Sequence, residues 1–191
     1  MTASAQHALR FAATRFCIAS VLVYATVAFG EGWLYATLGF AGAYVLWTVM
    51  FILLGSFALA PLVPDQSFAK FTGVFTLAFL GYAIGWIVAY FVLRGSVGEW
   101  VGSFAGCLFM TAIFARAFGK LDATPQLFVY LFAANSVGYF LGSILNGMYE
   151  RPLGMLLWGV AHGVFLGAGL GVVLDGLRGD AEDVKTEDVE M

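Results

Sequence analysis

The chain has 191 residues, of which 61% are hydrophobic and 11% charged, with a formal net charge of −3 and a mean hydropathy of +0.90. Soluble domains carry roughly 25% charged residues, so this composition excludes a water-soluble enzyme, and without a basic patch it also excludes a nucleic-acid partner. The class that remains is an all-α integral membrane protein whose principal partner is the lipid bilayer.

A bilayer crossing takes about 20 mostly apolar residues, and the sequence offers six such runs, at 13–30, 34–60, 71–93, 98–118, 127–148 and 153–174. They predict a bundle of six transmembrane helices over residues 1–174, followed by an acidic, disordered cytoplasmic tail over 175–191. The first run follows Arg10 and Arg15 in the manner of a signal peptide, but no small-residue cleavage site separates it from the next span, so it reads as retained. Cys17 and Cys107 fall inside apolar runs and read as small buried hydrophobes. Trp33, Trp100 and Trp158 read as an interfacial aromatic belt. Arg116 lies within snorkelling reach of the surface and reads as an anchor.

Charge sets the orientation. Arg10, Arg15, Lys70, Arg116, Lys120, Arg178 and Lys185 fall on one side of a six-span threading, and only Arg94 and Arg151 on the other. That asymmetry places both termini in the cytoplasm and points to the inner (plasma) membrane of a bacterium. The tail carries seven acids and two bases, against five acids and seven bases elsewhere, so it alone makes the protein acidic.

Glycine recurs within the runs at steps of four: Gly81 and Gly85; Gly98, Gly102 and Gly106; Gly138 and Gly142; Gly159, Gly163, Gly167 and Gly171. Each set shares one helix face, where missing side chains let a neighbouring backbone come close. An offset of 57 residues superimposes Gly81, Tyr82, Gly85, Arg94, Gly102 and Gly106 on Gly138, Tyr139, Gly142, Arg151, Gly159 and Gly163. The pattern is that of a duplicated helical hairpin. Between the copies Ala78 becomes Asn135, Ala89 becomes Asn146, Leu93 becomes Glu150 and Ala105 becomes His162, so polarity gathers in the last hairpin.

Asn135, Tyr139, Gly142, Asn146 and Glu150 form a stripe along the fifth run. Antiparallel pairing about Glu150 and Arg151 brings His162 to the depth of Tyr139. An ionisable side chain at that depth marks a functional site by default, and the bland alternative is an interhelical hydrogen bond. Asn135, Tyr139, Asn146 and His162 are therefore the candidate solute path, and Glu150 and Arg151 its external vestibule.

The motifs of hydrolytic, metal and redox chemistry are absent, and pairing Ser136 or Ser143 with His162 lacks the glycine-flanked nucleophile of an intramembrane protease. The sequence gives no catalytic or metal residue to name and implies no cofactor: His7 precedes the first run, so a haem held by two intramembrane histidines has no second ligand. The expected function is a non-enzymatic channel or transporter for a small solute or ion. The alternative is a non-catalytic membrane subunit or assembly factor that binds other membrane chains, or copies of itself as a homo-oligomer, through the glycine faces. An intramembrane enzyme acting on lipid ranks third.

Overall fold

The computed structural model describes residues 2–178, all-helical and without strands among them. Buried backbone in lipid must satisfy its own hydrogen bonds, which leaves helices or closed barrels as spanning structures. Five helices are long and apolar enough to cross a membrane: α1 (Ala3–Leu59), α2 (Phe68–Leu93), α3 (Gly95–Ala117), α4 (Thr124–Met148) and α5 (Leu153–Arg178). Short 3-10 turns at Ala60–Leu62 and Leu121–Ala123 precede α2 and α4. Thr2 and Ser67 cap α1 and α2 by accepting from the backbone N–H groups of Ala5 and Lys70, and Pro125 occupies the first turn of α4, where its missing N–H costs nothing.

The first two apolar runs form one helical element of 57 residues, with a break at Gly39 (φ 70°, ψ 173°) rather than at the predicted gap around Glu31. Within the element Trp47 Nε1 donates to Thr26 Oγ1 at 3.1 Å, and the rings of Tyr24 and Phe51 lie 6.3 Å apart. An unbroken helix would separate positions 26 and 47 by about 30 Å, so the chain doubles back at Gly39 into two antiparallel arms. Glu31, a good helix former, stays within the helix, where Arg151 Nη1 donates to its Oε2 and the Tyr35 hydroxyl to its Oε1. Gly39→Ala puts a Cβ where essentially only glycine goes, at a cost of about 1–3 kcal/mol. A clear fall in melting temperature in detergent is expected, and an unchanged melting curve would show that the turn tolerates a side chain.

The helices pack in a closed circuit: α5 lies against α1 and α4, α3 against α4 and α2, and α2 against α1. The glycine sets make its close seams. A Cβ added at Gly159, Gly163, Gly167 or Gly171 would collide with Tyr24, Cys17 and Ser20, Ala12 and Phe16, or Ala8, all on α1. Gly85 and Gly106 press α2 and α3 together, and Gly138 and Gly142 press α4 onto His162 and Trp158 of α5. The two hairpins matched at the 57-residue offset thus use their glycines differently. In α2/α3 the sets face each other, whereas the long set of α5 turns away from α4 towards α1.

At one end of the bundle Ser4 Oγ donates to Asp175 Oδ1 at 2.6 Å and Arg178 Nη1 to the Leu62 carbonyl at 2.7 Å, so the first and last described residues share that end. The predicted tail begins at Asp175, but 175–178 are the final turn of α5, and the acids from Asp180 onwards lie outside the described residues. The opposite end carries the α2/α3 and α4/α5 turns. At the first of these Arg94 is a non-glycine at positive φ (54°), followed by Gly95 at 56°.

Candidate functional site

Aromatic side chains from α1, α2, α4 and α5 meet in two strings of ring contacts that share Tyr24 and are joined along α2. Tyr24 lies 6.1 Å from Trp158, Trp158 5.7 Å from Tyr139, and Tyr139 5.7 Å from Trp86. One turn below Trp86, Tyr82 leads to Phe79 (6.0 Å), Phe79 to Phe51 (5.6 Å), and Phe51 back to Tyr24. Helical spacing determines the tiers: Trp158 and His162 lie four residues apart on α5, as do Trp86 and Tyr82 on α2 and Tyr139 and Asn135 on α4, so each pair stacks along one face.

The cluster is graded in its burial. Tyr24, Trp86, Tyr139 and Trp158 are only partly buried, whereas Tyr82 and His162 are each 9% exposed and Asn135 is fully buried. At about 1.5 Å per residue, Trp158 sits roughly 8 Å and His162 roughly 14 Å below the start of α5. The less buried tier therefore faces the end carrying Arg94 and Arg151. Glu99 stands at that rim and accepts from the Tyr139 hydroxyl at 3.4 Å.

The polar residues of the predicted path are not brought together by hydrogen bonds to one another. Asn135 belongs to a buried knot across α2, α3 and α4: it accepts from the Tyr82 hydroxyl at 3.1 Å, its Nδ2 donates to Ser103 Oγ at 2.8 Å, and Ser103 and Ser136 hydroxyls pair at 3.0 Å. His162 points to α1 instead. Its Nδ1 lies 3.4 Å from the Tyr24 hydroxyl and its ring meets Phe51 edge-on, while the α4 stripe reaches it only through the Gly138 backbone contact. With either tautomer His162 Nε2 is buried without a hydrogen-bond partner, and so is Trp158 Nε1 one turn above it. Among the described residues Ser20, Ser56, Gln66, Thr72, Thr111 and Thr124 also bury a side-chain oxygen without a hydrogen-bond partner.

Asn146 is partly buried near the α4/α5 turn, where its backbone abuts Gly154. Glu150 is exposed, and Arg151 forms the 2.5 Å ion pair with Glu31 that fastens the α4/α5 turn to α1. Among the described residues no cluster of three or more histidine, cysteine or acidic side chains could hold a metal.

Sequence reasoning did not single out Tyr24, Phe51, Phe79, Trp86 or Glu99 for this site. The signal for Trp158 was present, since it lies four residues before His162 on the same face, but as one of several tryptophans near the surface it reads as part of the belt. Tyr24 and Phe51 carried no local signal at all, because only the fold-back at Gly39 brings them to α5.

The geometry thus defines an all-helical chain with membrane-spanning capacity and a cluster of packed aromatic rings that deepens to a buried histidine. No family model, curated protein or solved structure matches the chain.

Proposed function

We propose that the protein is a multi-pass membrane protein that moves a small solute or ion past the aromatic cluster. It crosses the bilayer six times, the two arms of α1 counting as two crossings, with both termini cytoplasmic and the less buried tier facing outward. The observation that carries the reading is His162, an ionisable side chain buried within the bundle below the partly buried Tyr24, Tyr139 and Trp158. Ionisable side chains at membrane depth are costly and mark solute paths.

In this reading His162, Tyr139 and Asn146 retain the role expected of them, and Asn135 acts from beneath by fixing Tyr82 at the base of the cluster. Glu150, with the Glu31–Arg151 pair, borders the entrance. The rival reading as a subunit would use the glycine faces to bind foreign chains, but those faces are consumed within this chain: the sets of α2, α3, α4 and α5 meet backbone or side chains of its own helices.

The test is flux into liposomes reconstituted with the full chain. Uptake above empty liposomes is expected, and His162→Ala should reduce it about tenfold, the equivalent of losing a ~1.4 kcal/mol contact. Ile84→Ala, on the exposed face of α2, should leave uptake unchanged. Equal flux in wild type and His162→Ala would remove the histidine from the path, and a carboxyl-terminal reporter accessible from outside intact cells would overturn the threading.

A further inference from the structure

The two arms of α1 do not close against each other along their whole length. On the outer surface of the bundle they leave a groove of about 480 Å³ towards the end where the first and last described residues meet. Its floor is Ala19 and Ala58, 4% and 5% exposed, and its walls are Ile18, Leu22, Leu54 and Phe57, of which Ile18 and Phe57 are 58% and 70% exposed. Small residues on the facing arms open the groove and large ones border it. A second groove shares Leu22 and continues towards Trp33. At 1.5 Å per residue Arg15 and Leu22 lie about 10 Å apart along the helix axis, within the ~15 Å that one leaflet contributes to a hydrocarbon core of about 30 Å.

Arg15 stands at the mouth of the groove. It flanks Phe57 and Ala58, in the last turn before the second arm ends at Leu59, and so lies at the rim of the apolar span. Its guanidinium is 4.6 Å from the Phe11 ring, one turn nearer the amino terminus, and is thereby aimed away from the bilayer core. Among the described residues it forms no hydrogen bond or ion pair, and no acidic side chain lines the groove. A guanidinium stacked on a ring still presents its N–H donors edgewise, in the fork geometry that matches a phosphate.

The walls decide between occupants. Another helix would need small residues at the surface to bring the backbones together, whereas here the alanines lie at the bottom, behind large branched and aromatic side chains. A flexible acyl chain can thread between such walls, and the molecule that carries it must then place a group at Arg15. A zwitterionic headgroup brings no net charge there, and an anionic one supplies the missing counter-charge. We propose that this groove binds an anionic phospholipid of the leaflet on the side of the termini, with one acyl chain between the arms of α1 and its phosphate on Arg15. Such a lipid sits outside the bundle, so its binding does not depend on solute transport.

The experiment is photo-crosslinking of the full chain in nanodiscs of equimolar phosphatidylglycerol and phosphatidylcholine with matched acyl chains. Phe57→p-benzoylphenylalanine puts the photoreactive group in the groove wall, and Ile84→p-benzoylphenylalanine puts it on the exposed face of α2, against bulk lipid. Mass spectrometry of the crosslinked chain gives the ratio of phosphatidylglycerol to phosphatidylcholine at each position. The ratio at 57 should exceed that at 84 about fivefold. Arg15→Gln should bring it down to the ratio at 84, while Arg10→Gln, an equal loss of charge at an exposed position on the same arm outside the groove, should leave it unchanged. Equal ratios at the two positions with Arg15 present would overturn the proposal, as would an equal fall with Arg10→Gln and with Arg15→Gln. A crosslink from 57 to a second copy of the chain in place of lipid would make the groove a protein interface and overturn it as well.

Discussion

Gly167→Leu is expected to detach α5 from α1 and leave little folded, monodisperse protein in detergent. A Cβ at this position would lie 2.7 Å from the Ala12 carbonyl oxygen and 2.8 Å from Phe16 Cβ. The neighbouring rungs are as tight: 2.7 Å from Cys17 Cα at Gly163 and 2.5 Å from the Ala8 carbonyl oxygen at Gly171. These obstacles are mostly backbone, which cannot swing aside as a long side chain can. Overpacking a tight core costs about 1–3 kcal/mol, and leucine adds a whole branched side chain to a backbone contact, so the upper part of that range or beyond is expected. Within a bilayer the loss is not recovered elsewhere, because lipid tails are as apolar as the helices and contact itself supplies the association. Gly73→Leu is the matched control, on the exposed face of α2 with open space around its Cβ position. The two variants are compared by size-exclusion profile and thermal melting; equal behaviour would mean that the α1/α5 seam is not where the fold is held.

Asn135→Leu should cost about 1–3 kcal/mol, the penalty of a buried hydroxyl left without a partner. Leucine fills a similar volume, so the effect comes from polarity and not from a cavity. Ser103 keeps Ser136, but the Tyr82 hydroxyl loses its acceptor. That distinguishes the site from an ordinary interhelical hydrogen bond in a membrane, worth about 0.6 kcal/mol. Adding Tyr82→Phe should recover most of the loss, since the double variant strands no donor. Thermal or denaturant unfolding of the four proteins in one detergent completes the cycle. A double variant as unstable as Asn135→Leu alone would show that the asparagine stabilises α4 in some other way.

Helix positions were legible in the sequence from α2 onwards, because long apolar runs closed by charges or by proline and glycine leave little freedom: the expected 71–93, 98–118, 127–148 and 153–174 became Phe68–Leu93, Gly95–Ala117, Thr124–Met148 and Leu153–Arg178. The first break was misplaced by several residues. A glutamate in an apolar run looks like an exit from the membrane, yet Glu31 stays helical and pairs with Arg151, 120 residues away. Nothing local reports that partner. The depth at which α5 crosses α4 was also legible, since Gly138 abuts His162 as antiparallel pairing about the turn requires.

Where the imidazole points was not legible. Periodicity places residues on a face of their own helix, but which neighbour that face meets depends on the rotation of α5, and its long glycine set turns the helix towards α1. The aromatic cluster was invisible for a related reason: it draws on four helices, and aromatic residues are common throughout this chain, so only their convergence distinguishes the ones that form it.

The reversal at Gly39 has a practical bearing on how this protein can be probed. Because helix runs up to the glycine and resumes directly after it, the first hairpin has no slack strand that a protease could grip or that could accommodate an inserted epitope. Limited digestion should spare this apex under conditions in which more open connections are cut, and sidedness there is better read by labelling single introduced cysteines than by grafting a tag.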